Sequence, residues 1–147
     1  RDRLGLAGEG SHRGGEPVPI EGLADRFIAP TLLTGLTPSM RMHAEETFGP
    51  VAAVRSFATE AEAIAMANDT PYGLAAYFYT RDASRLVRVA ESLEAGIVGA
   101  NDATPSTAEA PFGGMKHSGL GREGGHQVMD EYTEVKYVSQ ILTDATT

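Results

Sequence analysis

The sequence predicts an α/β fold, because short segments with strand character alternate with segments of helical period. Apolar stretches that resemble strands occupy 51–57, 75–80 and 96–101, and helical patterns separate them. Such alternation is typical of parallel sheets with crossover connections. With 147 residues, 41% of them hydrophobic, the chain predicts one compact unit with a core of its own.

In the first half of the chain, turn chemistry and helix caps define the predicted elements. Residues 1–26 should be mostly irregular, since Gly, Glu and Arg are frequent there without periodicity. FIAPTLL (27–33) indicates a strand interrupted at Pro30, which favours a sheet edge or an extended passage because proline cannot donate to a ladder. The run Thr59-Glu60-Ala61-Glu62 has the form of a capping box and predicts a helix over 60–68.

In the second half, one helix and a closing strand are expected. Asp82 is the predicted N-cap of the helix, and Gly96 lies where a left-handed C-terminal cap would belong. The apolar face of this helix consists of Leu86, Val89, Ala90 and Leu93. EYTEVKYVSQIL (131–142) alternates in the manner of a strand.

Charge and composition exclude several classes of function. The formal net charge of −8 would repel nucleic acid and anionic membranes, so neither is an expected partner. No apolar run reaches the roughly 18 residues of a spanning helix, and the first 15 residues do not resemble a signal peptide, which favours a cytoplasmic setting. The chain has no cysteine, and therefore no disulfide, thiolate metal site or thiol nucleophile of its own.

The segment APFGGMKHSGLGREGG (110–125) contains six of the 17 glycines. Its Gly119-x-Gly121-x-x-Gly124 is not interpreted as a dinucleotide phosphate loop, because another loop precedes it where that fingerprint requires a strand. No metal site is predicted either. The four histidines lack metal-ligand spacing and are expected on the surface or in loops; they are His12, His43, His117 and His126.

EETFGPV (45–51) by itself is compatible with a solvated turn entering a strand. Taken with NDTPYGLAAYFYTRD, AGIVGAN, the glycine segment and YTEVKY, in this order, it resembles the C-terminal part of NAD(P)-dependent aldehyde dehydrogenases, most similarly the succinate-semialdehyde dehydrogenase branch. The resemblance implies the C-terminal part of the catalytic domain in residues 1–130, with 1–26 mostly irregular. It implies an oligomerisation strand and tail in 131–147.

The resemblance also implies a function. Such enzymes oxidise an aldehyde, in this branch succinate semialdehyde, to the carboxylic acid with NAD or NADP, through a thiohemiacetal on a cysteine. That cysteine would lie outside this chain, in the remainder of the subunit, so the isolated chain should be inactive. A homo-oligomer through the terminal strand is expected. The alternative is a non-catalytic remnant or split-gene interaction module that keeps the fold without dehydrogenase activity.

Two residues of EETFGPV correspond to the cofactor site in this resemblance. Glu46 matches the carboxylate that binds the ribose hydroxyls beside the nicotinamide, and a carboxylate suits two hydroxyl donors. Phe48 matches the residue that packs against the cofactor at that end.

Three further residues correspond to the substrate and proton-transfer sites. Phe112 matches an aromatic wall of the substrate tunnel, with core packing as the alternative. Ser106 matches a serine that contacts the distal carboxylate of the substrate, although Asp102, Pro105 and Glu109 depart from the usual branch sequence. Glu123 matches a glutamate of a proton relay, and an acid in the first turn of a helix is the other interpretation.

Overall fold

The computed structural model describes residues 12–22 and 27–142. Strands and helices alternate within these ranges, which confirms the predicted α/β class. The strands are β1 (His12–Arg13), β2 (Thr31–Thr34), β3 (Val51–Val54), β4 (Ala75–Phe78) and β5 (Ile97–Ala100). The α-helices are α1 (Arg41–Ala44), α2 (Glu60–Asn68), α3 (Ala83–Ser92) and α4 (Val128–Tyr132), and a 3-10 helix covers Lys116–Ser118.

The described residues fall into two units, divided between Pro71 and Tyr72. The first unit has a three-stranded sheet of order β1-β2-β3, and the second has the two-stranded sheet β4-β5. The prediction of one compact unit is therefore wrong. The physical reason is that the strands pair only within each half of the chain.

In the first unit, β2 is the central strand. It pairs with β1 in antiparallel and with β3 in parallel orientation, with Thr31 opposite Val51. Pro30 lies one residue before the strand, so its missing N–H interrupts no ladder; the edge alternative is wrong because β2 is central. In the segment expected to be mostly irregular, His12–Arg13 is a strand; residues 1–11 and 23–26 lie outside the described ranges.

The bounds of α2 agree with the predicted helix because its cap is local. The Thr59 hydroxyl accepts a hydrogen bond from the Glu62 N–H at 3.2 Å. The Glu62 carboxylate in turn accepts from the Ala58 N–H at 2.8 Å, one residue earlier than in the usual box. The Glu62 N–H, one of the four donors that a helix start leaves without an intrahelical partner, is thereby satisfied.

In the second unit, α3 connects the parallel strands β4 and β5, in which Ala75 lies opposite Ile97. The Asp82 carboxylate accepts from the Arg85 N–H at 2.9 Å, which confirms the predicted N-cap. On the predicted apolar face, Val89 is buried and the other members are partly buried. The face therefore packs against its own unit.

Gly96 does not form the predicted left-handed cap. The helix ends at Ser92 with Leu93 as C-cap, and Gly96 is absent from the positive-φ glycines of the described residues. A Cβ atom at this position would instead collide with the Gly113 carbonyl group. The glycine serves close backbone approach rather than helix termination.

The predicted closing strand 131–142 is also wrong for this chain. Its first two residues belong to α4, and residues 133–142 form neither helix nor strand. A strand requires a partner for its backbone groups, and no described segment pairs with this one. Its apolar side chains stay exposed, with Val135 at 101% and Tyr137 at 87%.

Few hydrophobic side chains are buried. Among the described residues these are Leu33, Met40 and Val89, so the prediction of a core of its own is wrong. Sheets of two or three strands with one helix against them cannot cover both of their faces. In the described part of the chain, no helix is long and apolar enough to cross a membrane.

The Asp82 cap predicts a pH dependence of stability. The hydrogen bond from the Arg85 backbone lowers the pKa of Asp82 below its ordinary value. The charged cap therefore stabilises α3 fully above the ordinary pKa, and this contribution is lost as the pH falls through the lowered one. Asp82→Asn keeps an acceptor but cannot titrate in this range.

We expect the chain to lose more stability between pH 7 and pH 3 than the Asp82→Asn variant loses. Urea unfolding followed by circular dichroism at both pH values measures this difference. Equal losses in the two proteins would show that the cap does not contribute through its charge.

Candidate functional site

The loop between α1 and β3 carries the two residues predicted to bind a cofactor. The Glu46 carboxylate is exposed and makes no hydrogen bond or ion pair within the described residues. Phe48 presents its ring to solvent with 90% of the residue exposed. A free carboxylate two residues from an uncovered aromatic ring can accept hydroxyl donors and pack on a flat or apolar surface.

The neighbouring Glu45 is not available in the same way. The Arg41 guanidinium donates to its carboxylate from Nε at 3.0 Å and from the terminal nitrogen at 2.6 Å. This hydrogen bonding lowers the pKa of Glu45 and raises the pKa of Arg41. Of the two adjacent carboxylates in EETFGPV, Glu45 is engaged with Arg41, whereas Glu46 is free to accept a hydrogen bond from a ligand.

In the second unit, Phe112 and Glu123 pair directly through their backbones. The Phe112 N–H donates to the Glu123 carbonyl, and the Glu123 N–H donates to the Phe112 carbonyl, both at 2.7 Å. The two predicted site residues thus lie side by side at the base of the loop 113–122. Phe112 is 38% exposed within this chain. Glu123 is exposed and five residues before α4, so it does not lie in the first turn of a helix.

Glycine conformations and side-chain hydrogen bonds define the backbone conformation of the loop 113–122. Gly119 and Gly121 have φ of +102° and +82°, which favour glycine. The Arg122 guanidinium donates to the carbonyls of Gly114 at 2.8 Å and Gly121 at 2.7 Å, and the Ser118 hydroxyl accepts from the Gly73 N–H at 3.0 Å. A 3-10 helix, not a strand, precedes the GxGxxG, which agrees with rejecting the phosphate-loop interpretation.

Sequence reasoning singled out neither Arg122 nor the Ser118–Gly73 contact. The hydrogen bonds of Arg122 and Ser118 are made to backbone carbonyl and amide groups that come together only when the chain folds. The available signal for Arg122 was an arginine in the middle of a glycine-rich segment. Backbone carbonyls in such a loop need hydrogen-bond donors, and a guanidinium has several.

Ser106 lies in the segment that connects β5 with this loop. Its side chain is exposed. The Asp102 carboxylate accepts from the Thr104 N–H at 2.8 Å, so this unusual acid is engaged in its own turn. The Gly125 N–H donates to the Ala108 carbonyl at 3.4 Å, which ties the Ser106 segment to residues after Glu123. The second unit therefore holds Ser106, Phe112 and Glu123, and the first holds Glu46 and Phe48.

A model of the aldehyde dehydrogenase family matches residues 8–138 of this chain. The chain belongs to the aldehyde dehydrogenase family. Mitochondrial succinate-semialdehyde dehydrogenase of Homo sapiens is 54% identical over 116 residues, which are 79% of this chain and 22% of the relative. The 3-sulfolactaldehyde dehydrogenase of Pseudomonas putida is 50% identical over 116 residues, 79% of this chain and 24% of the relative.

Solved structures agree with this family assignment. Succinate-semialdehyde dehydrogenase from Burkholderia pseudomallei has a TM-score of 0.79 and 50% identity, over 88% of this chain and 26% of that one. Betaine aldehyde dehydrogenase from Staphylococcus aureus in complex with NAD+ has a TM-score of 0.85 and 39% identity, over 98% of this chain and 30% of that one.

The chain spans less than a third of the length of these relatives. The resemblance to aldehyde dehydrogenases inferred from the motifs is thus confirmed at the level of the family. The cytoplasmic setting stays a prediction, since one of the relatives is named as mitochondrial.

Proposed function

We propose that this chain forms part of an NAD(P)-dependent aldehyde dehydrogenase that oxidises succinate semialdehyde to the carboxylic acid. The observation that carries the proposal is the loop 45–50 of a family member, in which an unpaired Glu46 stands beside the uncovered ring of Phe48. The nucleophilic cysteine would lie outside this chain, in the remainder of the subunit.

The residues of the loop fit a dinucleotide. Glu46 would accept hydrogen bonds from two ribose hydroxyls at once, since an ionised carboxylate has acceptor sites on both oxygens. Phe48 would cover one face of the cofactor and limit its movement, because aromatic rings offer a large, rigid contact area. When bound, the dinucleotide supplies the hydride acceptor.

The second unit would supply the substrate wall. Phe112 would limit the width of the tunnel, and the Ser106 hydroxyl would donate to the distal carboxylate of the substrate. Glu123 would take part in moving a proton away from the reaction site. The backbone pairing of Phe112 with Glu123 at 2.7 Å supports a fixed spacing between the substrate wall and the proton relay.

The names of the relatives at 50% identity or more support an aldehyde with an anionic group, whereas the betaine aldehyde dehydrogenase at 39% identity is named for a cationic one. Two of them are named for succinate semialdehyde and one for 3-sulfolactaldehyde, and both molecules carry an acidic group at the end opposite the aldehyde. Asp102, an acid that departs from the usual branch sequence, supports the same class of substrate. Its carboxylate is engaged with the Thr104 N–H, which keeps this negative charge in its own turn.

The non-catalytic remnant is the competing proposal, and intact mass distinguishes it. A protein several times heavier than 15.5 kDa that contains these residues would support the dehydrogenase. A mass of 15.5 kDa would favour a remnant that requires a separate partner.

Kinetics need a complete subunit, so we define a hybrid subunit. In it, residues 8–138 of this chain replace the matching segment of the Burkholderia pseudomallei enzyme, which is 50% identical. We expect the hybrid subunit to oxidise succinate semialdehyde with NAD or NADP. Glu46→Gln should raise the KM for the dinucleotide on the order of tenfold, because one charged hydrogen-bond acceptor becomes a neutral one.

Glu45→Gln is the matched control, since Glu45 is engaged with Arg41 and should leave that KM nearly unchanged. A folded hybrid without dinucleotide-dependent activity, or equal effects of the two substitutions, would contradict the proposed role of Glu46.

Substitution of Ser106 tests the proposed identity of the substrate. Ser106→Ala in the hybrid subunit should raise the KM for succinate semialdehyde about fivefold, through loss of one hydrogen bond to a charged group, and leave the KM for the dinucleotide unchanged. The control is Thr107→Ala at the adjacent exposed hydroxyl. An unchanged KM for the aldehyde in Ser106→Ala would remove the local support for this substrate.

The exposed C-terminal segment supports association with a further copy of the subunit. Val135 and Tyr137 are 101% and 87% exposed and alternate as one face of a strand. Their unpaired backbone would add to a sheet edge of a neighbouring subunit.

Light scattering of the 147-residue chain should therefore give a mass above 15.5 kDa at working concentration. Val135→Lys with Tyr137→Lys should lower the mass, whereas Glu134→Lys, on the opposite alternating face, should not. Because both apolar residues are exposed, these changes cannot disturb packing within the chain. A sharp monomeric peak of the unchanged chain would contradict the proposal.

A further inference from the structure

The imidazole of His43 joins three elements of the first unit. Its Nε2 lies 3.3 Å from the Asp69 carboxylate, and its Nδ1 lies 3.4 Å from a terminal nitrogen of the Arg55 guanidinium. His43 belongs to α1, Asp69 is the C-cap of α2, and Arg55 directly follows β3. The His43 side chain is only 13% exposed, although it was expected on the surface or in a loop.

One protonation state satisfies both contacts. A guanidinium can only donate, so the Nδ1 that faces Arg55 must be an acceptor without a proton. The proton of a neutral imidazole then resides on Nε2 and is donated to the Asp69 carboxylate. The assignment of the tautomer follows from the two partners, which leave no other neutral arrangement with both bonds.

The position of the loop after α1 depends on the hydrogen bonds at its two ends. Within the described residues, no backbone hydrogen bond involves residues 46–49. On one side, the Glu45 N–H closes the helix by donating to the Arg41 carbonyl at 2.7 Å, and on the other the Pro50 carbonyl accepts from the Thr31 N–H at 2.7 Å. The positions of Glu46 and Phe48 are therefore set by where α1 and the start of β3 stand.

The helix α1 cannot hold that position alone. It has four residues, and so short a helix is unstable without tertiary contacts. The Arg41–Glu45 pair lies within the same turn and fixes the helix to nothing else. Met40, at the start of this turn, is 7% exposed, and His43 joins the turn to Asp69 and Arg55 through its two ring nitrogens.

We propose that His43 is a positioning residue of the dinucleotide site, which fixes α1 against the ends of α2 and β3 and thereby sets the placement of Glu46 and Phe48. The inference rests on the proposed function for the identity of the ligand. The anchoring itself rests on the three side chains alone.

Hydrogen exchange of the 147-residue chain, without any dinucleotide, tests the anchoring. His43→Ala should increase exchange of the Glu45 amide, whose hydrogen bond to the Arg41 carbonyl closes α1, and leave the peptide of α3 unchanged. Asp69→Ala should have a similar effect, and Asp69→Asn a smaller one because its side-chain oxygen still accepts. The double variant His43→Ala, Asp69→Ala should add little to either single change, since both remove the same bond.

Kinetics of the hybrid subunit test the positioning. His43→Ala should raise the KM for the dinucleotide on the order of tenfold, as one lost anchor of about 1.4 kcal/mol would, and change the KM for the aldehyde less than twofold. His43→Gln should bring the KM for the dinucleotide most of the way back to that of the unchanged hybrid, because a single amide can donate to Asp69 and accept from Arg55.

Unchanged exchange of the Glu45 amide, or equal increases of both KM values in the Ala and Gln variants, would overturn the proposal in favour of general packing. Failure of the proposed function has a different signature. The unchanged hybrid would then lack dinucleotide-dependent activity, or Glu46→Gln would have no effect, while exchange of the Glu45 amide would still respond to His43→Ala.

Discussion

Pairing of parallel strands is the constraint on which the rest of each unit depends. The strands β2 and β3 pair over four residues, and β4 and β5 do the same. Since the described residues bury few apolar side chains, these backbone ladders and their flanking hydrogen bonds define the positions of the loops. Glu46 and Phe48 lie on the loop that ends at β3, and Ser106 lies on the segment that follows β5.

The two site loops are held in different ways. The loop 45–50 has anchors only at its ends, and its carboxylate and ring project freely, which suits contact with a ligand that both must reach. The loop 113–122 is braced internally by Arg122, and the mutual bonds of Phe112 and Glu123 close its base. A braced loop is suited to forming a wall, since wall residues have to keep their spacing when a substrate enters.

Exposure of apolar side chains has a common physical meaning across the chain. Phe48 and the segment after α4 are uncovered here, and contiguous exposed apolar surface favours contact with further polypeptide or a ligand. A family member that spans less than a third of its relatives' length has fewer elements of its own to cover them. The same shortage accounts for the absence of a sizeable core in the described residues.

The sequence by itself determined the features that depend on local contacts. Thr59 and Asp82 cap their helices as predicted, because a side chain and an amide three residues later meet in any such turn. The order of the motifs was sufficient to predict the family and to select Glu46 as a candidate cofactor-binding residue. Only the tertiary structure decided that Gly96 admits the Gly113 carbonyl, that Phe112 lies beside Glu123, and that His43 reaches Asp69 and Arg55. These contacts join residues 11 to 26 positions apart, and neither spacing nor propensity encodes such distances. The segment 133–142 has the alternation of a strand but no partner among the described residues, and a strand exists only where another strand completes its hydrogen bonds.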